Sequence, residues 1–179
     1  MLKFNYEKIL FLDMDGVLNS NFLIRRYIHN CEMHGMTDDE IRNKYFKEFD
    51  HCTELIFPEL AKNLNKICDE TNCYIVWSSS WRRLSKYKNI ENAQQMFNKR
   101  NLPGFRLISY TPQRMSAISR ACNIKDWIET YGKKVKKFAI LDDRTDAKYN
   151  TKRCHYFQTS VEDGLTEKIA NNVINWLNS

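Results

Sequence analysis

Two apolar segments of the chain run directly into groups of carboxylates. The segment ILFL at 9–12 continues into DMDG, and the segment FAIL at 138–141 continues into DDRTD. Apolar residues without polar alternation are typical of a strand that is covered on both faces, as in a parallel sheet. Acids that follow such a strand bring like charges together at the edge of a core, which is costly without a counter-charge. The pattern therefore predicts a buried parallel sheet with a charged site where its strands end.

Strand-like and helical segments alternate along the chain. The predicted strands are 8–15, 73–80, 105–111, 137–146 and 154–160. The predicted helices are 22–29, 38–49, a helix that begins at Pro58, and then 91–100, 120–131 and 166–177. This alternation is typical of β-α-β units and of a doubly wound, mainly parallel, Rossmann-like α/β sheet. We predict one domain across 1–179, with a small helical insertion at 20–57.

The composition is that of a globular protein without a membrane span. The chain has 179 residues, of which 42% are hydrophobic and 28% are charged, and these values are ordinary for one folded domain. No apolar stretch approaches the roughly 18 residues that a membrane-spanning helix needs, and the first apolar segment is too short for a signal peptide. The six cysteines are scattered rather than spaced as a disulfide scaffold. Reduced thiols and a cytoplasmic location are therefore expected.

Positive charge is concentrated in one part of the chain. Residues 78–160 contain 18 Lys and Arg against 6 Asp and Glu, whereas the remainder contains 10 against 16, so the formal charges are +12 and −6. One interpretation is a basic surface that binds a polyanion such as a nucleic acid. The other is a lysine-rich solvated surface, which is the better interpretation of KKVKK at 133–137. The sequence leaves both interpretations open for the whole segment.

Three of the predicted strands end in polar side chains. These are Asp13 and Asp15 after the first strand, Ser78–Ser80 after the second, and Asp142 and Asp143, with Asp146 shortly beyond, after the fourth. In an open parallel sheet, ligands bind outside the carboxyl ends of the strands. These side chains, far apart in sequence, are therefore predicted to converge on one site, and Gly16 allows the chain to turn tightly behind the first pair.

Several carboxylates at one sheet edge favour a divalent cation. Mutual repulsion raises the pKa of crowded carboxyl groups, and a hard cation removes that repulsion. Mg²⁺ takes oxygen ligands and is often completed by a substrate phosphate, and an aspartate can act as the nucleophile that forms an aspartyl-phosphate. The pattern thus predicts a magnesium-dependent phosphoryl-transfer site. No cysteine is placed for the loop of the cysteine-dependent phosphatases, and the five glycines cannot form a Walker-A loop.

The three strand ends resemble motifs of the haloacid dehalogenase-like (HAD) phosphatases. DMDGVL at 13–18 is similar to the first motif of this superfamily, Asp-x-Asp-Gly-Thr/Val. IVWSSS at 75–80 is similar to the second motif, a strand that ends in Ser or Thr. AILDDRTD at 139–146 is similar to the fourth motif, an apolar strand followed by paired acids. The order and spacing of the three motifs also fit the superfamily.

This resemblance implies the residues of a phosphatase reaction. Asp13 is implied to be the nucleophile that attacks phosphorus. Asp15 is implied to be the general acid for the leaving oxygen and then the base for water. Ser78 or Ser79 is implied to hydrogen-bond the phosphoryl oxygens. The substrate-binding candidates beside them are Gly16 and Ser80.

The resemblance also implies the metal ligands and a catalytic cation. The Mg²⁺ ligands would be Asp13, the backbone carbonyl of Asp15, Asp142, and Asp143 or Asp146. The third motif of the superfamily is a cation, normally lysine, at the start of the helix before the fourth-motif strand. No lysine stands clearly in that place, so we favour Arg120 for this role, and Lys125 is the competing interpretation.

Shorter stretches are similar to two groups within the superfamily. SSSWR, LISYTP, LDDRTD and TSVEDGLTE resemble the HAD domain of Swiss Army Knife RNA repair proteins, and AILDDRTD also resembles the 3′-phosphatase domain of polynucleotide kinase-phosphatases. Both resemblances imply a phosphorylated DNA or RNA end as substrate, with Arg82 and Arg83 as candidate phosphate contacts. Trp81, just before them, is interpreted as a core aromatic. In the superfamily an insertion at the position of 20–57 forms a cap over the active site.

Three hypotheses of function follow. The first is a magnesium-dependent phosphomonoesterase that acts on nucleic-acid ends, with a 3′-phosphate favoured. The second is a HAD phosphatase for a small molecule, such as a nucleotide or a sugar phosphate. The third is a non-catalytic module that binds nucleic acid, and the presence of both motif aspartates argues against it. The sequence does not indicate an oligomeric state.

Overall fold

The computed structural model describes residues 6–49, 56–84, 89–100, 102, 104–112 and 119–179, with the backbone alone for 45–49. The strands in these residues are β1 (Lys8–Leu12), β2 (Tyr74–Trp77), β3 (Leu107–Tyr110), β4 (Lys137–Asp142) and β5 (Cys154–Gln158). The α-helices are α1 (Asn21–Met33), α2 (Asp38–Phe49), α3 (Pro58–Thr71), α4 (Ile90–Lys99), α5 (Arg120–Tyr131) and α6 (Glu167–Asn178). None of the helices in the described ranges combines the length and the apolar character needed to cross a membrane.

The five strands form one parallel sheet in the order β3-β2-β1-β4-β5. The chain runs outward from β1 through β2 to β3, and α5 then carries it back to β4 on the other side of β1. The direction of winding therefore reverses between β1 and β4, which is the topological switch point where doubly wound folds bind their ligands. The predicted α/β class and mainly parallel sheet are confirmed.

Side-chain alternation along the strands divides the core into two layers. Leu10 and Leu12 of β1 belong to the larger layer, which also contains the buried faces of α3, α4 and α6. Ile9 and Phe11 belong to the smaller layer on the other face, where the Phe11 ring meets that of Trp127 of α5 edge-on at 5.3 Å. Because successive strand residues point to opposite faces, every second residue of the central strands faces α5.

Several elements differ from the predicted bounds at their ends. β1 ends at Leu12 rather than at 15, because the chain turns there, with the N–H groups of Val17 and Leu18 donating to the Met14 carbonyl oxygen. β2 ends at Trp77, and the serines that follow it begin a short 3₁₀ turn. α1 extends beyond the predicted end at 29, whereas α2 and α5 have the predicted bounds.

The helices α1 and α2 lie in the predicted insertion and contact each other. Ser20 caps the first of them, because its Oγ accepts a hydrogen bond from the Leu23 N–H at 3.2 Å. Residues 50–55 of the insertion lie outside the described residues. The role of 20–57 as a cap, and the extent of one domain across 1–179, remain predictions.

A turn at 160–165 supports the loop that follows β1. The N–H group of Leu165 donates to the Val17 carbonyl oxygen at 2.8 Å. Gly164 has a φ of +69°, and a Cβ atom at this position would lie 2.7 Å from Leu60 Cδ1 and 3.0 Å from the Val17 carbonyl oxygen. Glycine at 164 therefore permits the close approach that fixes this loop.

We expect Gly164→Ala to destabilise the protein more than Gly35→Ala. Both glycines have positive φ, but a Cβ at Gly35 would meet no atom within 4 Å, so the second variant carries only the backbone strain of about 1–2 kcal/mol. Gly164→Ala adds overpacking, which costs about 1–3 kcal/mol more. Urea unfolding of both variants measures the difference, and equal losses of stability would contradict the close packing at 164.

Candidate active site

A row of polar residues crosses the sheet where its central strands end. The registers of β1 with β2 and with β4 make Ser78, Asp13 and Asp142 lateral neighbours. By alternation these three residues share the sheet face that packs against α5. Thr111 extends the row beyond β3, where its N–H group donates to the Trp77 carbonyl oxygen at 3.1 Å. Thr111 was not among the predicted site residues, although its position at the end of the predicted strand 105–111 was a usable signal.

Three acids form a cluster at this edge. Carboxylate oxygens of Asp13, Asp142 and Asp143 lie within 4.8 Å of one another. Asp13 and Asp142 are only 2% and 0% exposed. Gly16, at a φ of +67°, leaves space for Asp143, whose Cβ would lie 2.8 Å from a Cβ added to that glycine. Of the five acids predicted as metal ligands, the structure brings these three together.

Arg120, the first residue of α5, supplies a positive charge to the cluster. Its Nη1 donates to Asp142 Oδ2 at 2.7 Å and also to Asp13 Oδ2. Its backbone N–H donates to Asp146 Oδ2 at 3.3 Å, and the Arg144 Nε donates to the other oxygen of the same carboxylate at 2.9 Å. Asp146 therefore lies outside the cluster and binds the helix start that carries Arg120.

Burial and mutual repulsion dominate the electrostatics of the cluster. Burial, with a contribution from the charge of Asp13, raises the pKa of Asp142 to about 7, although Arg120 acts in the opposite direction. The same two causes raise the pKa of Asp143. Burial alone would lower the pKa of Arg120, but the nearby Asp13 and Asp142 raise it above its ordinary value. Arg120 therefore remains charged beside the acids.

The donor set fits a divalent cation. Arg120 binds two of the three carboxylates, so ionisation of all three leaves excess negative charge. Asp13 Oδ1 is buried and has no hydrogen-bond partner among the described residues, which leaves a carboxylate oxygen available as a ligand. Hard divalent ions prefer carboxylate oxygens of this kind. Asp13, Asp142 and Asp143 are the residues that would hold such an ion.

The serines after β2 and the buried Arg82 lie on the side of Asp13 away from Asp142. Arg82 Nη1 donates to the Ser78 carbonyl oxygen at 2.8 Å and also to that of Ser79. Ser79 Oγ accepts from the Trp81 N–H at 3.3 Å, whereas Ser78 Oγ is buried without a partner in the described part of the chain. Burial and the charge of Arg120 lower the pKa of Arg82 to about 10. Arg82 therefore remains charged at neutral pH, and Ser78 has the hydroxyl available for a ligand.

Asp15 differs from Asp13 in its surroundings. Its side chain is exposed, and its Oδ2 accepts from Trp81 Nε1 at 2.9 Å while its Oδ1 accepts from Asn19 Nδ2 at 3.0 Å. Asn19 Oδ1 in turn accepts from the Gly16 N–H at 2.8 Å. Asn19 was not among the predicted site residues. The interpretation of Trp81 as a core aromatic is confirmed by its burial, but its hydrogen bond to Asp15 was not predicted. Asn19 directly follows the motif DMDGVL and Trp81 lies inside SSSWR, which was the available signal.

The remaining site predictions lie at the rim of the site or on the outside of α5. Ser80 and Arg83 are exposed in the 3₁₀ turn after β2. Lys125 is exposed, and its Nζ lies 3.7 Å from Glu129 Oε1. Of the two competing cations, the structure brings Arg120 to the carboxylates.

Comparison with known proteins identifies the family. The model of the HAD domain in Swiss Army Knife RNA repair proteins matches residues 9–170. The chain belongs to this family, so the predicted membership of the HAD superfamily is confirmed. The match supports a hydrolase as the class of protein.

Other comparisons add little to the family match. No curated protein matches the chain. Among solved structures, a haloacid dehalogenase-like family hydrolase from Streptococcus pneumoniae is similar, with 13% identity, coverage of 94% of this chain and 91% of that chain, and a TM-score of 0.45. That similarity is too low to bear on fold or function.

In the absence of divalent cations, we expect the contribution of Asp142 to the stability of the protein to fall as the pH rises from about 4 to about 7. An unfolded chain loses the Asp142 proton near pH 3.9, whereas the folded protein holds it up to a pKa of about 7. The stabilisation from protonated Asp142 is therefore complete below about pH 3.9 and is lost as the pH rises through about 7. The loss in the free energy of unfolding is at least about 1 kcal/mol.

Thermal unfolding in EDTA across this pH range measures the effect. Asp142→Asn removes this contribution, so the native protein should lose stability relative to the variant as the pH rises, whereas Asp69→Asn, at an exposed position, should follow the native curve. Addition of a divalent cation should reverse the decline, because the cation binds the ionised carboxylates. Parallel curves for the native protein and Asp142→Asn would show that Asp142 does not titrate in this range.

Proposed function

We propose that this protein is a magnesium-dependent phosphomonoesterase that works through an aspartyl-phosphate on Asp13. Its proposed substrate is a phosphorylated nucleic-acid end, with a 3′-phosphate favoured. The observation that carries the proposal is the convergence of Asp13, Asp142 and Asp143 with the charged groups of Arg82 and Arg120. An anionic nucleophile can approach an anionic phosphate only where fixed positive charge offsets their repulsion, and preorganised charge of this kind stabilises phosphoryl transfer.

The surroundings of Asp13 suit a nucleophile. Arg120 binds its Oδ2, while its Oδ1 has no hydrogen-bond partner among the described residues. One oxygen is therefore held by a cation and the other has no protein partner in the described part of the chain; of the two, one would attack phosphorus and the other would be the metal ligand. As the new bond forms, the bond from phosphorus to the leaving oxygen breaks, and Asp15 gives that oxygen a proton. Asp15 then takes a proton from the water that attacks phosphorus and releases Asp13.

Other groups of the site are suited to bind the phosphoryl oxygens and the metal ion. Ser78 Oγ and the guanidinium groups of Arg82 and Arg120 offer donors on the same side of the sheet edge as Asp13. Asp142 and Asp143, with Asp13, would hold the cation. When bound, Mg²⁺ supplies positive charge that lowers the repulsion between the phosphate and the carboxylates.

Two observations favour a nucleic-acid end over a small phosphate ester. The family to which the chain belongs consists of HAD domains in RNA repair proteins. The segment 78–160 has a formal charge of +12, and it contributes Arg83, Arg144 and Lys148 as exposed cations close to the strand ends. A groove that follows a phosphate backbone needs such cations. The cytoplasmic location expected from the reduced cysteines is part of the proposal.

The first test is phosphate release from a 3′-phosphorylated oligonucleotide in Mg²⁺. We expect Asp13→Asn to lower kcat by at least about a thousandfold, because the amide cannot act as the nucleophile. Chelation of the metal should abolish release. Asp69→Asn, which removes an exposed carboxylate outside the site, should retain native activity.

Other outcomes of the same test distinguish the competing hypotheses. Equal oligonucleotide binding by the native protein and Asp13→Asn, with release by neither, would favour a non-catalytic module. Hydrolysis of a mononucleotide as fast as that of the oligonucleotide, without an effect of added salt, would favour a small-molecule phosphatase. Release from the oligonucleotide should weaken steeply with salt if the backbone is bound.

The two competing cations make different predictions. We expect Arg120→Ala to lower kcat by about a hundredfold or more, because it removes the positive charge that lies beside Asp13 and that would also bind the phosphoryl group. Lys125→Ala on the same helix removes only an exposed ion pair with Glu129 and should change kcat by less than about twofold. Circular dichroism of both variants checks that α5 is intact. A larger loss in Lys125→Ala would reverse the assignment.

A further inference from the structure

Asp15 is exposed, yet protein groups bind both of its carboxylate oxygens. Trp81 Nε1 donates to Oδ2 at 2.9 Å, and Asn19 Nδ2 donates to Oδ1 at 3.0 Å. Water can satisfy an exposed carboxylate, so protein donors are not required for this purpose. What they do is restrict a side chain that would otherwise change rotamer freely at the surface.

Both donors are themselves held in place. Trp81 is only 4% exposed, and its backbone N–H donates to Ser79 Oγ at 3.3 Å. The indole N–H is a single donor whose direction is set by the ring. The Asn19 amide is oriented as well, because its oxygen accepts from the Gly16 N–H at 2.8 Å, so its NH₂ group faces Asp15.

We propose that Trp81 and Asn19 are positioning residues for the acid–base step of the reaction. This inference rests on the proposed function, in which Asp15 gives a proton to the leaving oxygen and then takes one from water. A carboxyl group has about four lone-pair sites, and the two donors occupy only two of them. The other sites remain available for the proton that Asp15 transfers.

The neutral character of the two donors suits this role. A cation in their place would stabilise the ionised carboxylate and oppose the donation of a proton. The structure makes this distinction within one site, because Arg120 binds Asp13 and Asp142, whereas an indole and an amide bind Asp15. The nucleophile and the neighbouring metal ligand thus have a charged partner, whereas the acid that exchanges a proton has neutral partners.

The test compares two esters that differ in their need for an acid. The alkoxide released from a 3′-phosphorylated oligonucleotide needs a proton, whereas the nitrophenolate released from p-nitrophenyl phosphate needs little help. The measured quantity is kcat/KM, which reports the steps up to loss of the leaving group and excludes the later hydrolysis of the aspartyl-phosphate, a step that both esters share. We expect Trp81→Phe, which keeps an aromatic ring and removes the donor, to lower kcat/KM for the oligonucleotide by about tenfold. Its kcat/KM for p-nitrophenyl phosphate should change by less than about twofold. Asn19→Ala should shift the ratio of the two rates in the same direction.

The ratio of the two rates does not depend on how much of a variant folds, because both are measured on one preparation. Asp15→Asn should give the same shift more strongly. The matched control is Trp176→Phe, which removes an indole donor from the Phe138 carbonyl oxygen at 2.7 Å near the other end of β4. Its ratio should equal that of the native protein.

The outcomes separate the two proposals. A native ratio in Trp81→Phe, or an equal loss on both esters, would overturn the positioning role and leave the phosphatase proposal standing. Hydrolysis of both esters by Asp13→Asn at the native rate would overturn the proposed function, and the positioning role with it. A selective loss on the oligonucleotide in Trp81→Phe and Asn19→Ala supports the positioning role.

Discussion

The contact of Arg120 with Asp13 and Asp142 is the interaction on which the rest of the site depends. It joins the ends of β1 and β4 across the switch point of the sheet, where two buried carboxylates stand side by side. Uncompensated buried charges of the same sign are strongly destabilising. The cation comes from α5, the segment that carries the chain back from β3 to β4, so the crossover that creates the crevice also brings in the charge that the crevice needs.

The other features of the site follow from this arrangement. Asp146 binds the backbone at the start of α5 and so fixes the point from which the Arg120 side chain extends. Arg82 binds the carbonyl oxygens of the serines after β2 and brings a second guanidinium group to the same edge. Arg120 thus offsets the charge of the acids, whereas Arg82 binds backbone carbonyl oxygens and leaves Ser78 Oγ without a hydrogen-bond partner among the described residues. The three acids thus carry net negative charge, which suits a metal ion, and the guanidinium group of Arg82 places positive charge beside the serines, which suits a phosphate.

The sequence was sufficient for the fold and for the acidic cluster because both depend on regular structure. Unbroken apolar segments indicate buried parallel strands, and parallel strands bring their carboxyl ends to one edge, so the meeting of Asp13 with Asp142 follows from topology. Alternation along β2 could also have separated Ser78 from Ser79, because only Ser78 shares the face of Val76 that packs towards α5.

The partners of Asp15 could not be predicted in this way. The hydrogen bond from Trp81 depends on two irregular segments, the turn at Gly16 and the 3₁₀ turn after β2, and periodicity carries no information about the direction of side chains in such turns. The choice between Arg120 and Lys125 had a related origin. Both positions belong to the same predicted helix, and its spacing does not specify which residue stands at the strand ends. The resemblance favoured Arg120 at the helix start, and its contacts with Asp13 and Asp142 support that choice.

The division of the core into two layers has a consequence for how this domain can change in evolution. The larger layer, with α3, α4 and α6, contains most of the buried apolar residues, whereas the reactive side chains lie on the α5 face with the smaller layer. Substitutions in the larger layer, Trp81 apart, therefore act first on folding, and substitutions at the start of α5 act first on chemistry. A lineage can accumulate stabilising changes on one face of the sheet while the other face adapts to a new leaving group, so the two properties can be selected almost independently.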